Sequence, residues 1–213
     1  MDMPPSAAGR TRQRRKSDRP QELLEAALAL FVERGLANTR AEDIAARAGV
    51  SKGTLYLYYP SKDELFKAVV RQHLTDVIME GEDILARYSG PTADLLTALA
   101  LTWWRRVSVT RSCGLLVVMM AESKQFPELA RFYIDEVIGP SRALAAKAIE
   151  YGVARGDLRQ VDVNSAVLGI MAPLQFLMTY HEVTSVCPTE DADMAPEHFL
   201  RTQIDLLLRG LLK

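Results

Sequence analysis

Apolar residues recur every three to four positions along most of the chain, and no segment alternates in the way a half-buried strand requires. The first stripe is Leu24, Ala27, Leu28 and Phe31, one face of a helix over residues 20–34. Pro20 suits its first turn, and Gly35 suits the left-handed position after its last. Thr39 and Glu42 have the T-x-x-E spacing of a capping box before a short helix over 40–48. The core face of that helix is Ile44, Ala45 and Ala48. Gly49 ends it, Val50 plugs the turn, and Ser51 caps a second short helix that runs to about Tyr58. Pro60 stops this helix, because a proline disfavours helical geometry in the residue before it. Ser61 caps the next helix, which carries Asp63 and Glu64 in its first turn and continues through Phe66, Val69, Val70 and Leu74 towards Tyr88.

The second half repeats the helical spacing. Helices are predicted over 92–109 and 113–123, then a long pattern opened by Pro127, kinked or broken at Gly139-Pro140 and ended at Gly156-Asp157. Asp162 caps a further helix to about His181, and the last begins near Pro196. The predicted fold is all-α. A basic arm over 1–18 precedes a three-helix helix-turn-helix domain over 19–66 and a C-terminal helical ligand-binding and dimerisation bundle over 67–213.

Composition narrows the function. The 213 residues are 48% hydrophobic, enough for a sizeable core, and their formal net charge is −1. The charge is unevenly placed. Arg10, Arg12, Arg14, Arg15, Lys16 and Arg19 stand against Asp2 and Asp18, so the arm, expected to be disordered when free, is cationic and suited to an anionic partner. No apolar run reaches the ~20 residues of a membrane span, and the N-terminus has no apolar core of a secretory signal. Cys113 and Cys187 lack metal-ligand spacing and read as free thiols of a reducing cytoplasm. No phosphate-binding glycine loop or H-E-x-x-H pattern is present, and His73, His181 and His198 are far apart. The expectation is a cytoplasmic protein that is not an enzyme, with no cofactor, no metal and no membrane.

Two short helices about a glycine turn form a helix-turn-helix, whose second helix enters the major groove of DNA by its N-terminal end. There the chain offers Lys52, Gly53 and Thr54, small or cationic as a phosphate-lined groove requires. Leu55 and Tyr59 share an inward face. Tyr56 and Tyr58 point elsewhere, with hydroxyls able to donate to phosphate, and Lys62 joins the backbone N–H groups of the following helix as an anion site.

The stretch "TRAEDIAARAGVSKGTLYLYYPSKDELF" resembles the N-terminal domain of the TetR/AcrR transcriptional regulators, over Leu23 to about Phe66. The segment "ESKQFPELARFYIDEVIGPSRALAAKAIEYGVARGDLR" resembles the C-terminal helices of many members. The resemblance implies DNA contacts at Thr39, Arg40, Ser51, Lys52, Gly53, Thr54, Tyr56, Leu57, Tyr58 and Lys62. Position 57 departs from the pattern. Members often carry His or another polar or aromatic residue there, and leucine offers only an apolar contact to a thymine methyl. The resemblance also implies a homodimer on a palindromic double-stranded operator, usually as a repressor, released by an apolar or amphipathic small-molecule effector. A helical regulator acting through protein contacts, without specific DNA binding, is the alternative that Leu57 favours.

Met and aromatic residues make adaptable cavities. The candidate effector contacts are Trp103, Trp104, Met119, Met120, Phe126, Phe132, Met171, Phe176 and Met178, with Tyr133 and Tyr180 on the same helices. Trp103 and Trp104, being adjacent, cannot face the same way. The last two long helices are apolar beyond one stripe. Val167, Met171, Leu174, Met178, Phe199, Ile204, Leu207, Leu208 and Leu211 are the candidate dimer contacts.

Overall fold

The computed structural model describes residues 7–108, 110–186 and 195–211, with side chains described from Arg19 to Tyr180 except residue 109, and over 195–210. Among the described residues every regular element is helical. The chain forms two compact units that divide between Val70 and Arg71.

The first unit holds α1 (Ala7–Asn38), α2 (Ala41–Arg47), α3 (Lys52–Tyr58) and α4 (Lys62–Val70). The backbone of α1 is helical from Ala7, not from Pro20, and Pro20 lies inside the helix. The reason is local: Ala, Arg, Gln and Lys, all good helix formers, dominate this stretch. The regular helix breaks where expected, at Gly35, with φ 79°. Leu23, Ala27, Phe31, Ile44, Leu55, Leu65 and Phe66 are fully or almost fully buried. The Phe31 and Phe66 rings meet edge to face at 5.4 Å and tie α1 to α4.

The turn between α2 and α3 follows from two residues. Gly49 takes φ 67°, and the Val50 N–H donates to the Ala45 carbonyl at 2.9 Å, which closes the C-terminus of α2. Ser51 then accepts a hydrogen bond from the Thr54 N–H at 3.1 Å, as an N-cap should. The predicted capping box before α2 does not form. Arg40 is the N-cap residue and makes no side-chain cap. The Thr39 hydroxyl turns back instead, donating to the carbonyls of Leu30 at 3.1 Å and Gly35 at 2.6 Å, because α1 ends with unsatisfied acceptors closer to hand.

The second unit holds α5 (Asp76–Arg87), α6 (Thr92–Trp103), α7 (Cys113–Glu122), α8 (Pro127–Tyr133), α9 (Gly139–Arg155), α10 (Val163–Val186) and α11 (Pro196–Leu211). Wide π turns precede α5 (Arg71–Thr75), follow α6 (Trp104–Ser108) and join α8 to α9 (Ile134–Ile138). The chain therefore stays helical through Gly139-Pro140. The Gly139 N–H donates to the carbonyl of Ile134, five residues back, and this looser turn admits a proline that has no N–H of its own.

Helix α6 packs against α5, α9 and α11, and α10 packs against α9, α11 and α7. Leu95, Leu96, Ile149, Val167, Ile204 and Leu208 form the shared core. Asp157 fixes the start of α6: its carboxylate accepts from the Thr92 N–H at 3.0 Å and from the Thr92 hydroxyl at 2.8 Å. Helix α10 holds an 18-residue window, Val163–Tyr180, long and apolar enough to cross a membrane by length and composition alone, though not an unbroken apolar run. Its packing shows why: α10 buries one apolar face in the bundle and keeps a second.

Candidate nucleic-acid interface and effector cavity

Helix α3 presents its N-terminal half and one flank to solvent. Lys52, Gly53, Tyr56 and Leu57 are exposed, Thr54 and Tyr58 are half-buried, and Leu55 is fully buried beneath them. Leu57 is 76% exposed, so nothing within the chain uses this apolar side chain. Gly53 is equally informative. A Cβ built on it would meet only Ser51 Oγ, at 3.8 Å. Glycine weakens a helix relative to alanine, and no neighbour here requires one, so the free space faces outward. Arg40, at the N-terminus of α2, is also exposed.

The Lys52 ammonium lies 2.5 Å from the Glu42 carboxylate and 5.7 Å from the centre of the Tyr56 ring. The hydrogen bond between them lowers the Glu42 pKa and raises that of Lys52, holding both charged. Lys52 therefore reaches α2 before it reaches any partner. On the opposite flank of α2, Arg47 and Glu33 form a two-pronged ion pair at 2.7 and 2.9 Å.

Two expected DNA contacts have other employment. Thr39 is 1% exposed and its hydroxyl is committed to α1. The Lys62 ammonium donates to the carbonyls of Leu36 at 2.6 Å and Thr39 at 3.0 Å, where it closes the C-terminus of α1 and the approach to α2. Tyr59 is half-buried, as its shared face with Leu55 predicts, and burial raises its pKa.

The second unit holds a partly open cavity of about 190 Å³ lined by residues of α5 to α10. Of the candidate effector contacts, Trp103, Met171 and Met178 line it. Six other candidates do not. Trp104 is 3% exposed and packs on Leu101, Leu177 and Leu200. Met119 is buried outside the lining, and Met120 is exposed on α7. Phe126 is the N-cap residue of α8, Phe132 lies beneath the Arg71 guanidinium at 5.0 Å, and Phe176 is half exposed. Much of the wall comes from residues that size and polarisability do not single out: Val77, Ile78 and Gly81 on α5, and Ser141, Leu144 and Ala145 on α9. Among the described residues, no charged one lines the cavity. Thr102, Trp103, Tyr133, Ser141 and Gln175 are the lining residues that carry polar side-chain atoms, and burial pushes the Tyr133 phenol well above its usual pKa, so it stays protonated.

Comparison with known proteins agrees with this layout. Residues 23–69 match the bacterial regulatory proteins of the tetR family, and residues 94–172 match the AefR-like transcriptional repressor C-terminal domain. The HTH-type transcriptional repressor KstR2 of Rhodococcus jostii is 33% identical over 153 residues, covering 71% of this chain and 74% of that protein. The chain belongs to the TetR family of transcriptional regulators. The HTH-type transcriptional regulator RutR of Escherichia coli is 48% identical over 179 residues, with 77% of this chain and 76% of that one covered. A TetR-family regulator from Mesorhizobium loti shares the fold with a TM-score of 0.73 at 22% identity, over 93% of this chain and 99% of that one. Being a TetR-family member, the protein is a helix-turn-helix, DNA-binding transcriptional regulator, and α2 and α3 are its helix-turn-helix.

This TetR-family chain places its outer apolar face one step away from the expected dimer residues. Val167, Ile204 and Leu208 are 2–5% exposed and belong to the protomer's own core. Met171, Leu174 and Met178 line the cavity, and Leu207 packs against the core beside Gly169. Phe199 is half-buried against the smaller cluster around Trp104. The Leu211 side chain lies outside the described residues. The solvent-facing apolar side chains are Leu168 at 54%, Phe176 at 50% and Leu206 at 58% exposure. Phe176 stacks on Tyr180 at 5.7 Å and meets Phe199 at 5.9 Å.

Proposed function

We propose that the protein is a cytoplasmic repressor that binds double-stranded operator DNA as a homodimer and lets go when a small apolar molecule fills the bundle cavity. The contact set is Arg40, Ser51, Lys52, Gly53, Thr54, Tyr56, Leu57 and Tyr58, with Thr39 and Lys62 holding the reading surface from within. The observation that carries this reading is the α3 face itself. It has a glycine with open space over its Cα, an exposed leucine able to meet a thymine methyl, and cationic and phenolic donors on either side.

A two-fold operator needs two copies of α3, and Leu168, Phe176 and Leu206 are the surface on which a second copy would seat. Release follows from a shift between two dimer geometries. Reducing operator occupancy a hundredfold takes about 2.7 kcal/mol of differential effector binding. The cavity wall has a route outward. The turn Ile134–Ile138 contributes Val137 and Ile138 to the lining, and its Glu136 grips Arg71, the first residue after α4, with two hydrogen bonds of 2.7 Å.

Selection of bound sequences from random duplex DNA tests the reading. The expected product is a palindrome whose affinity falls with salt at a log–log slope near −0.9 per phosphate contacted. Recovery of no common sequence, together with salt-insensitive binding, would remove DNA recognition from this surface.

A further inference from the structure

The outermost line of α3 carries no hydrogen-bonding side chain. With about 100° between successive residues, the direction opposite the fully buried Leu55 falls between Gly53 and Leu57. Lys52 and Tyr56 lie on one flank of that line, and Thr54 and Tyr58 on the other. Two of these flanking groups have contacts of their own. Lys52 pairs with Glu42 of α2, and the Thr54 hydroxyl meets Ser51 Oγ at 2.9 Å. What stands furthest forward is therefore a leucine, 76% exposed, and one turn before it a residue with no side chain. Helical side chains lean towards the N-terminus, so Leu57 leans over the step at Gly53. No atom of Leu57 comes within 4 Å of where a Gly53 Cβ would stand. The two residues thus form a notch with room for a methyl group, floored by backbone and walled by leucine.

Resting on the reading that α3 faces the major groove, we propose that this ridge reads a methyl: each operator half-site carries a C5-methylated pyrimidine, thymine or 5-methylcytosine, beneath Gly53 and Leu57. That methyl is the apolar feature a base pair presents in the major groove. Against leucine it leaves water at no polar cost. An unmethylated cytosine gives the leucine nothing to bury, and its amino group would lose water with no acceptor in exchange. The side chains that read base edges by hydrogen bonds are missing from the ridge, so it carries no competing preference at the same step.

Deoxyuridine tests this, because it keeps the pairing and the acceptors of thymidine and lacks only the methyl. Each thymine of a selected operator is replaced in turn, in both half-sites together, and binding of the full chain is followed by fluorescence anisotropy at a fixed salt concentration. At the thymine beneath Leu57 the affinity should fall about fifteenfold, which is about fourfold for each methyl lost. With a C·G pair at that position instead, methylating the cytosine should tighten binding by about the same factor. Leu57→Ala should reduce both differences to less than about twofold, and the exposed position leaves the fold intact. Replacement of every thymine without effect, or a methyl preference that survives Leu57→Ala, overturns the methyl reading while DNA recognition by α3 stands. A selection that returns no operator overturns both.

Discussion

Gly53 separates what the fold needs from what a partner needs. A methyl added at its Cα points into solvent, with Ser51 Oγ at 3.8 Å as its nearest neighbour, so Gly53→Ala introduces no clash. Alanine is preferred over glycine inside a helix by about 0.8–1 kcal/mol, and by about half of that at the second residue of a short helix such as α3. At about 2–4 °C per kcal/mol for a chain of this size, the melting temperature should rise by about 1–2 °C. DNA binding should move the other way. The methyl would stand between the α3 backbone and the groove, and a loss of about 1.4 kcal/mol per protomer is tenfold each, or about a hundredfold for two copies. Thermal melting and fluorescence anisotropy on a selected operator, at one fixed salt concentration, read the two effects separately. Unchanged operator affinity would refute the close approach of α3, and a lowered melting temperature would show that the glycine serves the fold after all.

Leu168→Glu combined with Leu206→Glu should sediment as a folded monomer; a dimer at the same concentration would move the interface elsewhere. Lys62→Met should lower stability by about 1.5–3 kcal/mol, since the Leu36 and Thr39 carbonyls lose a charged donor, while the salt slope of DNA binding stays as in the parent. Glu42→Gln releases Lys52 from its ion pair, so anisotropy titrations should show tighter DNA binding and a steeper salt dependence. Hydrogen bonds from the Thr92 N–H and hydroxyl, and then Arg155, hold the Asp157 carboxyl below the usual carboxylate pKa. That stabilisation is present above the unfolded carboxylate pKa of about 3.9 and disappears as pH falls through the folded value. Asp157→Asn should therefore flatten the acid limb of an unfolding curve monitored by circular dichroism.

Local signals in the sequence were transparent where the cause lay within a few residues. Gly35, Gly49 and Gly156, at predicted helix ends, are the glycines with left-handed backbone among the described residues. Ser51 caps α3 and Asp162 caps α10 for the same reason: donor and acceptor are three residues apart. Thr39 and Lys62 were opaque because their acceptors lie up to 9 and 26 residues away, at a helix end whose needs appear only on folding. Residue type also misled in the cavity. Trp104 and Phe132 have the right chemistry and face other neighbours, whereas Ser141 and Gly81 line the wall because of the side of the helix they occupy. Leu168 and Leu206, not Val167 and Leu207, are the exposed neighbours on these helices, since α10 and α11 are apolar on adjacent faces and periodicity alone cannot say which is inner.

The wide turn Ile134–Ile138 gives this stretch room to lose a residue. Tyr133 lies before it, and Ser141, Leu144 and Ala145 lie after it, all on the same cavity wall. A π turn takes one residue more than an α turn over about the same rotation, so deleting one residue there would let the backbone close into an ordinary helix with the downstream side chains near their present direction. The same deletion within α9 would meet no spare residue and would rotate everything beyond it by about 100°. The loss of one codon would therefore leave the wall in place at the turn and turn it away a few residues later.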